Sequence, residues 1–99
     1  MLVRNAIYKF TNEMGVHLYH VNHQGNTSIA MYRDARGKCR PSLRGRISPA
    51  FFMFRWHATE QSNHNHWNKV LIAGGRIVAS HVVDPRKLTS RQLRKMARK

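Results

Sequence analysis

Acidic side chains are almost missing from this 99-residue chain: Glu13, Asp34, Glu60 and Asp84 are the only four, against 18 lysines and arginines. Chemistry that gathers several carboxylates in one pocket, such as paired-acid glycoside hydrolysis or two-metal catalysis, is therefore poorly supplied. Cys39 is the sole cysteine, which excludes an internal disulfide and a zinc knuckle built on cysteines. No apolar run approaches the roughly 18 to 20 residues of a membrane-spanning helix. The opening Met1-Leu2-Val3-Arg4-Asn5 lacks the basic leader and apolar stretch of a signal peptide. The expectation is a protein of the reducing cytoplasm that makes no membrane contact. Internal repeats, heptads and low-complexity segments are also lacking.

What is present supports one small fold. Hydrophobic residues make up 41% of the chain, and four Phe, three Tyr and two Trp can anchor a core. With the histidines neutral the net charge is +14, a field that seeks polyanions.

Alternation predicts a strand over Val3–Phe10, with Ala6, Tyr8 and Phe10 on one face, Asn5 and Lys9 on the other, and Ile7 interrupting the pattern. Turn chemistry at Thr11–Gly15 leads into a second strand, Val16–Val21, so the two form a hairpin. Asn22–Asn26 closes that strand, and Ser28–Arg33 forms a third. A basic loop spans residues 33–46, and after Pro49 the aromatic run Ala50–His57 reads as a strand buried on both faces, the best core candidate. Thr59–Asn68 is polar and reads as a surface loop containing Trp67. Lys69–Ala73 and Arg76–Val83 flank Gly74-Gly75, which predicts a hairpin with a two-residue turn. Pro85 ends the last strand, and Thr89 with Gln92 and the Leu88/Leu93 pair predicts a capped helix over about Ser90–Arg98. Leu93, Met96 and Ala97 share one side of that helix and the basic residues crowd the rest. The predicted fold is mainly β, or α+β: a small antiparallel sheet or barrel of five to six strands with a short basic C-terminal helix. Residues 1–84 form the β-rich domain with its basic loop 33–46, and residues 85–99 form a basic helix packed on it or extending from it.

Arginine outnumbers lysine twelve to six, and the planar guanidinium suits bidentate phosphate contacts and stacking on bases. Two clusters carry the reading: Arg33, Arg36, Lys38, Arg40, Arg44 and Arg46 in the loop, and Arg86, Lys87, Arg91, Arg94, Lys95 and Arg98 in the tail. Trp67, among polar neighbours, joins them as a stacking platform. Tyr8, Tyr19 and Tyr32 are further stacking candidates, although a domain this small needs aromatics for its core.

Seven histidines raise two other chemistries. His64 and His66 would share a face of an extended segment, where His57 or Cys39 could complete a metal site. No Cys-x-x-Cys or His-Glu-x-x-His accompanies them, so no metal and no cofactor is expected. A pair drawn from His17, His20, His23, His57 and His81 could cleave RNA by acid–base catalysis, but the plainer role is pH-dependent charge on a polyanion surface. Cys39 has Arg36, Lys38 and Arg40 nearby to lower its pKa but no base partner.

The expected function is non-enzymatic nucleic-acid binding through phosphate contacts. RNA or a ribonucleoprotein is preferred over duplex DNA, because of the arginine excess, the β-rich pattern and the lack of a second helix suited to the major groove. The competing reading is a small regulator or inhibitor docking on an acidic surface of a nucleic-acid-processing protein, with Trp67 and the Phe51–Trp56 strand as its apolar hot spot. A metal-independent ribonuclease is third. Zinc-finger, aromatic RNA-binding strand and helix-turn-helix patterns are not found.

Overall fold

Strand β1 (Ala6–Asn12) pairs antiparallel with β2 (Gly15–Val21), placing Tyr8 opposite Tyr19 and Lys9 opposite Leu18. The computed structural model describes residues 1–13, 15–33, 39–40, 53–58 and 61–98. Strand β3 (Thr27–Arg33) extends the meander. Between β2 and β3 the Asn22 side chain accepts from the Gln24 and Asn26 amides, both at 2.9 Å, and Gly25 takes φ +83°. Glycine meets that conformation without steric cost.

Two shorter strands add to β3. β4 (Cys39–Arg40) pairs with Tyr32 and Arg33, and β5 (Met53–Ala58) runs antiparallel along Ser28–Arg33. Because Ser28 and Ile29 pair with both β2 and β5, those two strands occupy opposite edges of β3. β6 (Arg76–Ala79) lies on the other side of β1, with a bulge where the register shifts between Ile7 and Tyr8. The sheet is antiparallel and open: β6 forms one edge, and no pairing among the described residues closes it into a barrel. Arg36, Lys38, Arg44, Arg46, Phe51 and Phe52 lie outside the described residues. The expected loop 33–46 is interrupted by β4.

The second half departs from expectation at residues 61–75. Residues 61–74 form a helix, α1 (Gln61–Gly74), in place of a loop, a strand and a glycine hairpin. Counting β-branched residues points to a strand, whereas Trp67, Val70, Leu71 and Gly74 fall at helical spacing. That stripe meets the sheet: Leu71 is buried with Ala6, Tyr8, Tyr19, Val21 and Ile29, and Trp67 and Phe10 pack against the same cluster. The Thr27 hydroxyl donates to the Asn68 side-chain carbonyl and ties α1 to β3. Gly74 and Gly75 end the helix, with the Gly75 amide bonded to the Leu71 carbonyl at 2.8 Å.

The glycine pair now carries a different expectation. A Cβ on Gly75 would stand 2.9 Å from the Leu71 carbonyl oxygen and 3.0 Å from its Cα, both backbone atoms. One on Gly74 would meet only the half-buried Phe10 ring, at 3.0 Å. Gly75→Ala should therefore cost about 1 to 3 kcal/mol. Gly74→Ala should stay within about 1 kcal/mol of the parent, because the gain in helix propensity offsets a tilt of the ring. Urea melts of the two variants check the order; a larger loss at Gly74 would contradict this helix end.

Past β6, the Asp84 carboxylate accepts from the Arg86 amide at 3.0 Å and opens a single 3₁₀ turn, Pro85–Lys87. Helix α2 (Ser90–Met96) then starts at the expected capping box. The Gln92 amide donates to Thr89 Oγ1 at 3.1 Å, and the Thr89 amide donates to Gln92 Oε1 at 2.8 Å. Leu93 and Met96 pack into a second cluster with Ile7, Val16 and Leu18, and Leu88 packs against it. Each helix thus covers one face of the sheet. This explains why Ile7 breaks the alternation: β1 is buried on both sides. The expectation of no second helix is overturned by α1, but α1 and α2 lie on opposite faces and do not make a helix-turn-helix pair. No helix among the described residues is long and apolar enough to cross a membrane.

Candidate functional site

Lys9 and Arg76 face each other across the β1–β6 pairing, and α2 passes beside them. The space between is a cleft of about 580 Å³, lined by Lys9, Arg76, Lys95, Arg98 and Gln92 over an apolar wall that includes Val78, Leu88 and Met96. A second hollow of about 350 Å³ lies on the other side of Lys9 and Arg76, against Thr11, Asn12 and the end of α1 at Gly74. Among the described residues no carboxylate lines either one. Of the two acids whose side chains are described, Glu13 is exposed and Asp84 is engaged by Arg86.

The four cations reach the cleft by different routes. Lys9 sits on the α2 face of β1, buried to 5% exposure opposite Leu18, and its ammonium donates to the Arg98 carbonyl. Burial, then the like charge of Arg76, holds that ammonium below the usual lysine range. Arg76 begins the edge strand. Lys95 is placed by α2, whose Leu93 and Met96 point into the core, and Arg98 follows the helix.

Arg91 and Arg94 are exposed on α2, and Lys87 is exposed on the 3₁₀ turn. They extend the positive field beyond the cleft. Arg86 is placed differently: its guanidinium pairs with Asp84 at 3.1 Å. That hydrogen bond holds the Asp84 carboxyl below its ordinary range and raises Arg86, so Arg86 is partly committed within the chain. Arg33 and Arg40 are positioned only as the end of β3 and a residue of β4.

Two of the aromatic candidates, Tyr8 and Tyr19, resolve into core, and the Tyr32 side chain lies outside the described residues. Tyr19 is 1% exposed, and burial pushes its phenol up to about 12. Tyr8 is buried and its hydroxyl accepts from the Val3 amide at 2.8 Å. Neither is a stacking platform. Trp67, half-buried on α1, packs on Tyr19 with ring centroids 5.4 Å apart and meets His66 edge-on at 4.9 Å. One side of its ring is therefore used internally.

The histidines whose side chains are described, His17, His20, His23, His66 and His81, are distributed, not gathered, and those of His57 and His64 lie outside the described residues. His17 lies on the α1 face beside Phe10 and Tyr19 and donates to Asn12 Oδ1 at 2.9 Å. Burial lowers its pKa, which disfavours the charged imidazolium. His20 is buried on the opposite face and donates to the Val82 carbonyl at 2.6 Å. His23 is exposed in the turn and His81 in the loop after β6, at φ +58°. Positions 64 and 66 are in α1, where residues two apart do not share a face. Among the described residues no three metal-ligating side chains converge.

Sequence pattern does not single out Lys9 or Arg76. Alternation places Lys9 on an outward face, and Arg76 is isolated among uncharged neighbours. The available signal is Ile7: an apolar residue sharing a face with Lys9 implies that this face too is covered. Comparison with protein-family models, curated proteins and solved structures returned no match.

Proposed function

We propose that this protein binds nucleic acid without catalysing a reaction, acting in the cytoplasm and contacting phosphates through its arginine and lysine clusters. The observation that carries the reading is the cleft between β6 and α2, where four cations and, among the described residues, no carboxylate converge beside the exposed cations of α2. Phosphate oxygens are the natural complement of such a surface, because each contact releases counterions from the polyanion. RNA or a ribonucleoprotein is preferred to duplex DNA. That preference rests on the arginine excess and on a sheet-based architecture, since single strands and irregular RNA are commonly met by sheets and loops. The basic segment 33–46 is proposed as a second set of phosphate contacts.

The test is a salt titration with mixed-sequence RNA and DNA oligomers. Log affinity should fall linearly with log salt, with a slope of roughly 0.7 to 0.9 per phosphate neutralised. Replacing Arg36, Arg40, Arg44 and Arg46 together by glutamine should reduce the slope by roughly one unit for each phosphate that the variant no longer neutralises. A flat salt response would remove the phosphate reading and favour a protein partner.

A further inference from the structure

Lys9 carries an ammonium into a setting where no carboxylate among the described residues stands against it. Among the described residues its one hydrogen-bond partner is the Arg98 carbonyl. An ammonium has three N–H donors, so two remain for the cleft that Lys9 lines. Burying a charge without an opposite charge is strongly unfavourable, and an apolar side chain of similar size would serve packing better. Arg76, Lys95 and Arg98 add like charge to the same walls. The chemical complement of these four cations is an anion.

We propose that this cleft binds a terminal phosphate monoester, with Lys9 at its floor and Arg76, Lys95 and Arg98 around its mouth. A monoester carries about −1.5 to −2 at neutral pH, whereas an internal phosphodiester carries about −1. Four converging cations therefore match a strand end better than a linkage within the strand. The apolar wall of Val78, Leu88 and Met96 receives the attached sugar or base, and a volume of about 580 Å³ accommodates a mononucleotide. The strand as source of the phosphate rests on the nucleic-acid reading; a free nucleoside monophosphate carries the same chemistry.

One RNA oligomer is measured with a 5′-phosphate, a 3′-phosphate or hydroxyls at both ends, at fixed salt. The expected result is binding about tenfold tighter or more for one phosphorylated form, a preference abolished in Lys9→Met and in Arg76→Gln. In parallel, a nucleoside monophosphate should raise the melting temperature of the parent above that in chloride of equal ionic strength, and should not do so for Lys9→Met. Lys9→Met itself should melt no lower than the parent in phosphate-free buffer. If it melts lower and still prefers the phosphorylated strand, Lys9 is only a tie to Arg98 and the proposal falls; Arg76→Gln decides the matter if Lys9→Met does not fold.

Equal, salt-dependent binding of all three strands overturns the proposal and leaves the nucleic-acid reading intact. No strand binding, with a melting shift by the monophosphate that Lys9→Met and Arg76→Gln abolish, keeps the pocket and overturns the strand as its source. No binding and no shift overturns both. A hexaglutamate that displaces the phosphorylated strand as well as the monophosphate does would reassign the cleft to an acidic protein partner.

Discussion

Truncation after Asp84 is expected to leave a chain with no cooperative unfolding transition. Deletion removes buried Pro85, Leu93 and Met96 and uncovers Ile7, Val16 and Leu18, which share their cluster. A buried leucine or methionine cut to alanine typically costs about 2 to 5 kcal/mol, and a domain of this size holds only about 5 to 15 kcal/mol in all. Removing two such anchors together with the Arg98 carbonyl that receives the Lys9 ammonium consumes most of that margin. Leu93→Ala alone should lower stability by about 2 to 5 kcal/mol while leaving a single transition. Circular dichroism melts of the two proteins check both statements. A truncated chain that melts cooperatively near the parent's temperature would show that the sheet holds its α2 face without the helix.

Reversing Arg91, Arg94, Lys95 and Arg98 to glutamate should have a different profile, with a single cooperative transition kept, stability lowered by roughly 1 to 4 kcal/mol, and binding abolished. All four side chains are exposed, and surface substitutions usually change stability by about 0.5 kcal/mol or less. Acidic residues near a helix C-terminus oppose its dipole, which adds a few tenths to about 1 kcal/mol each. Binding responds on another scale. At a single-strand slope of roughly 0.7 per phosphate, leaving four phosphates without their cations weakens affinity roughly two-hundredfold at 0.15 M salt, before added repulsion is counted. Anisotropy titrations with a labelled RNA oligomer, beside a thermal melt of the same sample, separate the two effects. If the reversed protein bound as tightly as the parent at low salt, α2 would not face nucleic acid, and docking on an acidic protein surface would become the better reading.

The two halves of the chain are not equally legible. The β1–β2–β3 meander stands where alternation and Asn/Gly turns place it, because its pairings are between neighbours in sequence. The cap of α2 is readable for the same reason: Thr89 and Gln92 satisfy each other's amides within one turn. Local pattern misassigns residues 61–74 because their first half is polar and Val70 and Ile72 are β-branched, while a helix presents Trp67 and Leu71 together to Tyr19 and Ala6. Burial against a partner face outweighs a local preference of a few tenths of a kcal/mol.

Charge excess, the scarcity of carboxylates, the meander and the final capped helix follow from the sequence by itself, since each is a matter of composition or of residues a few positions apart. Which charges act together was decided only by the tertiary structure. Lys9, Arg76, Lys95 and Arg98 come from the first strand, the edge strand and the end of the chain, and they meet because α2 must bury Leu93 and Met96 on the face that Lys9 shares with Ile7 and Leu18. Packing of those apolar anchors fixes the helix beside the β1–β6 edge, and the cations follow the backbone that carries them.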